Sequence, residues 1–327
     1  MRALVVERLA ADYGGVAVRE IATPTPGPGE VRLKVRAAAV NFPDILMTRG
    51  DYQHKPPLPF VPGLEVAGEI DLLGDGVRGW RIGDGACGAP RGGGFAQFAI
   101  AAAAALRPKP ARLTFAEASA YGAAYLTAWV ALVRRARVQP GEWVLVHGAA
   151  GGVGLACVDL AKALGCRVIA ASASDEKLAV IARDYAPDAT VNVAGGFREA
   201  VKAITAGKGA DVIFDPVGGD VFDQSVRCIA FDGRLLVVGF TSGRIPTVSV
   251  NLPLIKGFSV MGVRAGEYGR QFPERGRENQ DAVWAMIGEG KLRPRVHAEF
   301  PLARWRDAFD LLTERKVIGK AVIRPDL

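Results

Sequence analysis

From Trp143 onward the chain alternates short apolar runs with longer amphipathic stretches, and this alternation constrains the fold more than any other feature. The pattern predicts strands at 143–147, 167–172, 189–193, 211–217 and 233–240. Helices are predicted between them at 152–164, 175–184, 197–206 and 220–230. Successive strands separated by a helix run parallel, because the crossover returns the chain to the same end of the sheet. The expected architecture is therefore α/β, with a doubly wound parallel sheet covered by helices on both faces.

At 327 residues the chain exceeds one comfortable core and allows a second domain. Residues 1–110 read differently from the alternating part, as short strands separated by turns. Pro24-Thr-Pro-Gly-Pro-Gly29 punctuates the chain before 31–40, where Val31, Leu33 and Val35 alternate with Arg32, Lys34 and Arg36. Further strands are expected at 64–70 and 95–100. Thr114-Phe-Ala-Glu117 is a capping box that opens a helix, and 124–135 is a second helical stretch. From about residue 290 the pattern returns to short strands plus a helix at 302–313, which most simply rejoins the amino-terminal β domain.

The sharpest local signal is the run from Val144 through His147, Gly148, Ala149, Ala150, Gly151, Gly152 and Val153 to Gly154. A buried strand entering a glycine-rich turn and then a helix presents backbone N–H groups and a positive helix end to a pyrophosphate. Ala149 stands at the usual first glycine, so the turn rests on Gly151, Gly152 and Gly154. The next strand discriminates between cofactors. An Asp or Glu at its end accepts the ribose 2′-hydroxyl of NAD, whereas this strand ends in Ser172, followed by Ser174 and Lys177. Hydroxyls and an ammonium suit a 2′-phosphate, which points to NADPH.

Composition removes several function classes. The formal charge of +7 favours an anionic partner, yet the basic residues form no run and no nucleic-acid motif, so nucleic acid is not expected. Glu7 and Arg8 interrupt any leader-like apolar core, and no apolar run approaches the ~20 residues of a membrane span. The expected location is cytoplasmic. Cys87, Cys157, Cys166 and Cys228 show no paired spacing and read as free thiols, and His54, His147 and His297 lack metal-ligand spacing.

Seven stretches together resemble the zinc-free quinone oxidoreductase (zeta-crystallin-like) branch of the medium-chain dehydrogenase/reductase superfamily. They are Asn41-Phe-Pro-Asp44, Gly50-Asp-Tyr52, the segment 58–68 containing Gly63-Leu-Glu65, the turn 149–154, Asp215-Pro-Val-Gly-Gly219, the segment 233–240, and Gly319-Lys320. They span nearly the whole chain in the family's order. The resemblance implies a GroES-like β-rich substrate domain at 1–122, a Rossmann NADPH-binding domain at 123–265, and a return to the GroES-like domain at 266–327. Zinc-dependent relatives take their catalytic metal from a Cys and a Gly-His-Glu motif. This chain has Phe42-Pro-Asp44 and Gly63-Leu-Glu65 there, so no metal is expected.

By the same resemblance, Tyr52, Asn41 and Asp44 are the catalytic candidates beside the nicotinamide. Thr127, Ala150, Gly151, Gly152, Val153, Gly154, Ser172, Ser174, Lys177, Val238, Gly239, Phe240 and Thr241 are the cofactor-binding candidates. Tyr52 either donates to a developing enolate or packs in the cleft, and Asn41 and Asp44 serve chemistry or fix the backbone after Val40. A Tyr or His that approaches the 2′-phosphate in relatives is Val193 here, and His147 reads as a strand-end residue. The implied activity is NADPH-dependent hydride transfer to a quinone or small α,β-unsaturated carbonyl (enone). A 2-enoyl-thioester reductase and a non-enzymatic NADPH-binding protein are the alternatives. Arg264, Arg270, Arg275 and Arg277 read first as a solvated loop and second as a seat for the phosphates of a CoA ester. The family also implies a homodimer, with 258–263 as the pairing edge.

Overall fold

The computed structural model describes residues 1–327 and divides into two compact units, Met1–Ala123 with Pro294–Leu327, and Ala124–Arg293. The chain thus re-enters the first unit at Pro294, later than the 266 implied by the resemblance and close to the 290 read from the pattern. Residues 266–293 instead build two helices, Ala265–Gln271 and Pro273–Gly288, within the second unit. The buried Asn279 fastens them there, accepting from Trp129 Nε1 at 3.1 Å and Arg134 Nε at 2.7 Å.

The first unit is β-rich. Its larger sheet has seven strands, ordered Val296–Pro301, Lys320–Arg324, Glu30–Ala39, Val66–Leu73, Gly85–Gly88 and Leu106–Pro108, with Phe98–Ala102 also pairing with Glu30–Ala39. The alternation read at 31–36 is realised physically. Val31, Leu33 and Val35 are buried, while Arg32 and Arg36 face outward to Asp71 and Glu69 at 2.5 and 2.8 Å. Leu4, Phe95 and Phe309 fill the core between the sheets and the helix Trp305–Thr313. The capping box at Thr114 forms as expected, with Glu117 Oε2 accepting from Thr114 N at 2.8 Å and Thr114 Oγ1 accepting from Glu117 N at 3.2 Å.

The second unit is the doubly wound sheet. Six strands, all paired in parallel, run in the order Ala189–Asn192, Arg167–Ser172, Trp143–Val146, Ala210–Asp215, Ile229–Val237 and Ser259–Gly262. Two elements differ from expectation. The fifth strand starts at Ile229, inside the predicted helix, because Ile229 already pairs with Ala210 before a register slip at Asp232-Gly233. The expected helix 124–135 is α-helical over Gly122–Trp129 and widens to a π-helix over Val130–Ala136. All four cysteines are free and buried, and no helix is long and apolar enough to cross a membrane.

Candidate functional site

In the second unit the parallel register aligns the ends of four strands. Val146 pairs with Ala170 and Phe214, and Phe214 with Leu236, so the segments that follow leave the same carboxyl edge of the sheet. At this edge the chain turns through Gly148, whose φ of +57° lies in the left-handed region that favours glycine. Gly148 belongs to the glycine-rich run but not to the cofactor-binding candidates; its position directly after an apolar strand and His147 is the signal for its role. The helix Gly152–Ala163 then begins, and its first intrahelical bond runs from Leu155 N to Gly151 O at 2.8 Å. The amides of Gly152, Val153 and Gly154 precede that bond at the positive end of a 12-residue helix.

The glycines divide their roles. A Cβ on Gly154 would lie 2.2 Å from Gly148 O, so this position closes the turn against the helix. A Cβ on Gly151 would meet nothing nearer than Gly148 O at 3.4 Å, so its missing side chain leaves the approach to the helix end open. These features fit a dinucleotide pyrophosphate. Ala150 is buried just before them.

Ser172 ends the neighbouring strand, and Ser174 caps the helix Asp175–Tyr185, its Oγ accepting from Lys177 N at 3.3 Å. The two serines are linked, because Ser174 N donates to Ser172 Oγ at 3.4 Å. Lys177 is half-buried, and desolvation lowers its ammonium from the ordinary lysine value. Of the two carboxylates just before it, Glu176 pulls the ammonium weakly the other way, and Asp175 is turned to Asn192 Nδ2 at 2.7 Å. Val193 donates its amide to Ser172 O and places no ring or charge there. Thr127 is half-buried on the helix Gly122–Trp129 of the same unit.

Residues 238–241 are held against the end of the strand Ala210–Asp215. Val238 N donates to Asp215 O at 2.9 Å and Thr241 N to Pro216 O at 3.1 Å. A Cβ on Gly239 would sit 3.3 Å from Pro216 O, and Phe240 lies over Gly218 with its ring partly in solvent. Asp215, absent from the expected set, shapes this region: its Oδ1 accepts from Val217 N and Gly218 N at 2.8 and 2.9 Å. His147 is buried, with Nε2 2.9 Å from Ser225 Oγ and its ring against Phe197. Burial pushes its imidazole down to about 3. It is a packed strand-end residue.

In the first unit, Asn41 and Asp44 meet at the start of the helix Phe42–Arg49. Asp44 Oδ2 accepts from Asn41 N at 2.8 Å, and Oδ1 accepts from Gly63 N at 2.9 Å. Burial pushes the Asp44 carboxyl up to about 7, against the opposing pull of those two amides and of Lys320. Both its oxygens are engaged in fixing backbone. The Asn41 side chain is engaged too: its Oδ1 accepts from Lys320 Nζ at 2.5 Å and its Nδ2 donates to Glu65 Oε1 at 3.0 Å. Of the two readings left open, the geometry favours backbone fixing for Asp44, whereas the Asn41 side chain is held by the side chains of Lys320 and Glu65. Tyr52 lies two residues past Gly50, the left-handed end of that helix, and is half-buried.

Glu65 completes the cluster. Its Oε1 accepts from Lys320 Nζ at 2.8 Å, and its Oε2 accepts from Ala123 N at 2.7 Å. No group of three or more His, Cys, Asp and Glu side chains is placed to hold a metal ion.

Two families match the chain: "Zinc-binding dehydrogenase" over residues 152–279 and "Alcohol dehydrogenase GroES-like domain" over 27–111. A quinone oxidoreductase-like protein 2 homolog of Nematostella vectensis is 41% identical, covering 93% of this chain and 84% of the relative. The quinone oxidoreductase of Rattus norvegicus is 31% identical over 95% of both chains. A mycobacterial protein whose native structure was solved in complex with NADPH superposes with a TM-score of 0.91 at 30% identity, covering 99% of this chain and 100% of that one.

Proposed function

Because this chain belongs to the quinone oxidoreductase-like branch of the medium-chain dehydrogenase/reductase superfamily, we propose that it is an NADPH-dependent, metal-free reductase of quinones or small enones. The observation that carries this reading is the sheet edge of the second unit. There the open turn at Gly151 and the helix amides of 152–154 stand beside a strand that ends in Ser172 without a carboxylate. NADPH, when bound, supplies the hydride. The helix amides receive its pyrophosphate, Ser172, Ser174 and Lys177 receive its 2′-phosphate, and Thr127 with Val238, Gly239, Phe240 and Thr241 borders the nicotinamide half. Tyr52 meets the acceptor and donates to oxygen as charge develops there.

Metal independence is supported by what Glu65 does. Catalytic zinc needs three protein ligands with an open fourth position. Here Glu65 is consumed by Lys320, Asn41 and Ala123, while Phe42 and Leu64 have no donor atom. The direct test is NADPH oxidation with a panel of quinones, small enones and enoyl-CoA esters, with and without chelator. Turnover of a quinone or enone that chelator leaves unchanged is expected. Silence across the panel refutes the proposal.

Cofactor preference gives a sharper prediction. Charge-assisted hydrogen bonds are worth roughly 1.5–3 kcal/mol each. Lys177→Ala should therefore weaken NADPH binding about ten- to a hundredfold while NADH binding is spared. Equal losses for both cofactors, measured by titration of the purified protein, remove Lys177 from the 2′-phosphate.

We also infer a homodimer that pairs through the strand Ser259–Gly262. It is an edge strand, bonded on one side to Ile229–Val237. Leu254 and Phe231, both 81% exposed, flank it, with Phe231 packed on Gly257. An open apolar edge of this kind is normally covered. Light scattering at micromolar concentration should give twice the chain mass; a single-chain mass contradicts the pairing.

A further inference from the structure

The buried polar cluster of the first unit contains a cation that the proposed chemistry does not use. Lys320 begins the strand Lys320–Arg324 and is 6% exposed. Its backbone is fixed independently of its side chain: Lys320 N donates to Arg295 O at 3.0 Å, and Gly319 before it has φ +87°. A Cβ at Gly319 would lie 2.4 Å from Arg295 O, so the chain can enter this strand only through glycine.

An ammonium has three donors and no acceptor. The Asn41 atom facing Lys320 is therefore the carboxamide oxygen, which turns Nδ2 toward Glu65 Oε1. Glu65 in turn holds Ala123 N at the start of the helix Gly122–Trp129. Asp44 ties Asn41 to Gly63. Four stretches far apart in sequence, at 41–44, 63–65, 122–123 and 319–320, thus converge on one ion pair. Asp44, Cys87 and Tyr121 are the other titratable groups facing the Glu65 carboxylate.

A buried ion pair gives little net stability compared with apolar groups of the same volume. What it does provide is orientation, because a methyl group cannot choose which end of a carboxamide faces it. We propose that Lys320 and Glu65 form one charge-coupled positioning unit that orients Asn41 and, through it, the start of the helix Phe42–Arg49, whose far end leads to Tyr52. This rests on the reductase reading above.

The test compares Lys320→Met, Lys320→Arg, Glu65→Gln and the double variant Glu65→Gln/Lys320→Met in the full chain. Steady-state NADPH oxidation with a small enone, 2-cyclohexen-1-one, and thermal melting are both measured. Lys320→Met should lower kcat about ten- to a hundredfold, the cost of a misplaced site, with KM for NADPH unchanged within about twofold. Lys320→Arg should recover part of that kcat. The double variant should lose less than the two single variants combined, in kcat and in melting temperature, since no orphaned charge remains. Parental kcat in a Lys320→Met protein that is still folded at the assay temperature overturns the proposal, as do strictly additive losses. If the parent itself oxidises no NADPH with any acceptor, the reductase reading falls instead. The melting temperatures then decide alone: non-additive shifts support the coupled pair and additive shifts overturn it.

Discussion

Between pH 7 and pH 5, a His147→Leu variant should gain about 2 kcal/mol of stability relative to the parent protein. The folded chain holds this imidazole at about 3, against 6.5 for the free side chain, because burial penalises the charged form. Below pH 6.5 the unfolded chain takes up a proton that the folded chain refuses, so His147 contributes stability above that pH and loses it on acidification. Leucine removes the linkage. The hydrogen bond sacrificed is one donated by Nε2, since Ser225 spends its single hydroxyl proton on Val221 O at 2.7 Å. That loss is the same at every pH and does not blur the slope.

Asp44 works with the opposite sign. Its carboxyl is raised from 3.8 to about 7, so the folded chain binds the proton more tightly than the unfolded one. Its contribution is fully present below pH 3.8 and is lost as pH rises through 7. An Asp44→Asn variant should therefore lose about 2 kcal/mol relative to the parent over the same fall from pH 7 to pH 5. In the parent the two effects largely cancel, and only the variants separate them. His147 and Asp44 lie in different units, so if the units melt separately each substitution moves its own transition. Denaturant titrations at pH 5, 6 and 7 check this. Variant and parent curves that stay parallel across that range would falsify both linkages.

The sequence made the second unit legible because its signals are local. A parallel strand buried on both faces reads as an apolar run, and a glycine turn at its end is visible within ten residues. Boundaries were lost where local and tertiary signals disagree. Gly233 looks like the turn before a strand, yet Ile229 is already paired with Ala210. The resemblance placed the return to the first unit at 266, whereas the short-strand pattern resuming from about 290 lies close to the observed Pro294. The long-range bonds of Trp129 and Arg134 to Asn279, invisible in the pattern, tie the intervening helices to the second unit.

The polar cluster of the first unit was the least legible part. Asn41 and Asp44 could be picked out, but their partners could not, since Lys320 lies 279 positions from Asn41 and no periodicity connects them. Buried polar groups are chosen by pairing across the fold. Sequence pattern reports burial and turn chemistry far better than it reports such partners.

Tyr52 carries the remaining large effect, and it concerns which acceptor the protein reduces. When hydride reaches the β-carbon of an enone, negative charge collects on one carbonyl oxygen. A phenol placed there stabilises it most when the charge is localised. A quinone spreads the same charge over its ring and depends on the donor less. Tyr52→Phe should therefore lower kcat for enones or enoyl thioesters by about 10²–10³, with a much smaller loss for a simple quinone. Asn41 and Asp44 are bonded to their neighbours, so the half-buried Tyr52 is the one of the three candidates proposed above as the donor to the acceptor. The basic residues that would favour a CoA ester are partly neutralised. Glu267 pairs with Arg270 at 2.8 Å and Arg264 at 3.8 Å, and Arg275 lies over the Phe272 ring, on two helices where a solvated loop was expected. Small enones and quinones are thus expected to outrun enoyl-CoA esters in kcat/KM at low and moderate salt alike. Equal losses for enone and quinone in Tyr52→Phe would reduce Tyr52 to a packing residue, and a salt-sensitive preference for crotonyl-CoA would make the thioester the better substrate class.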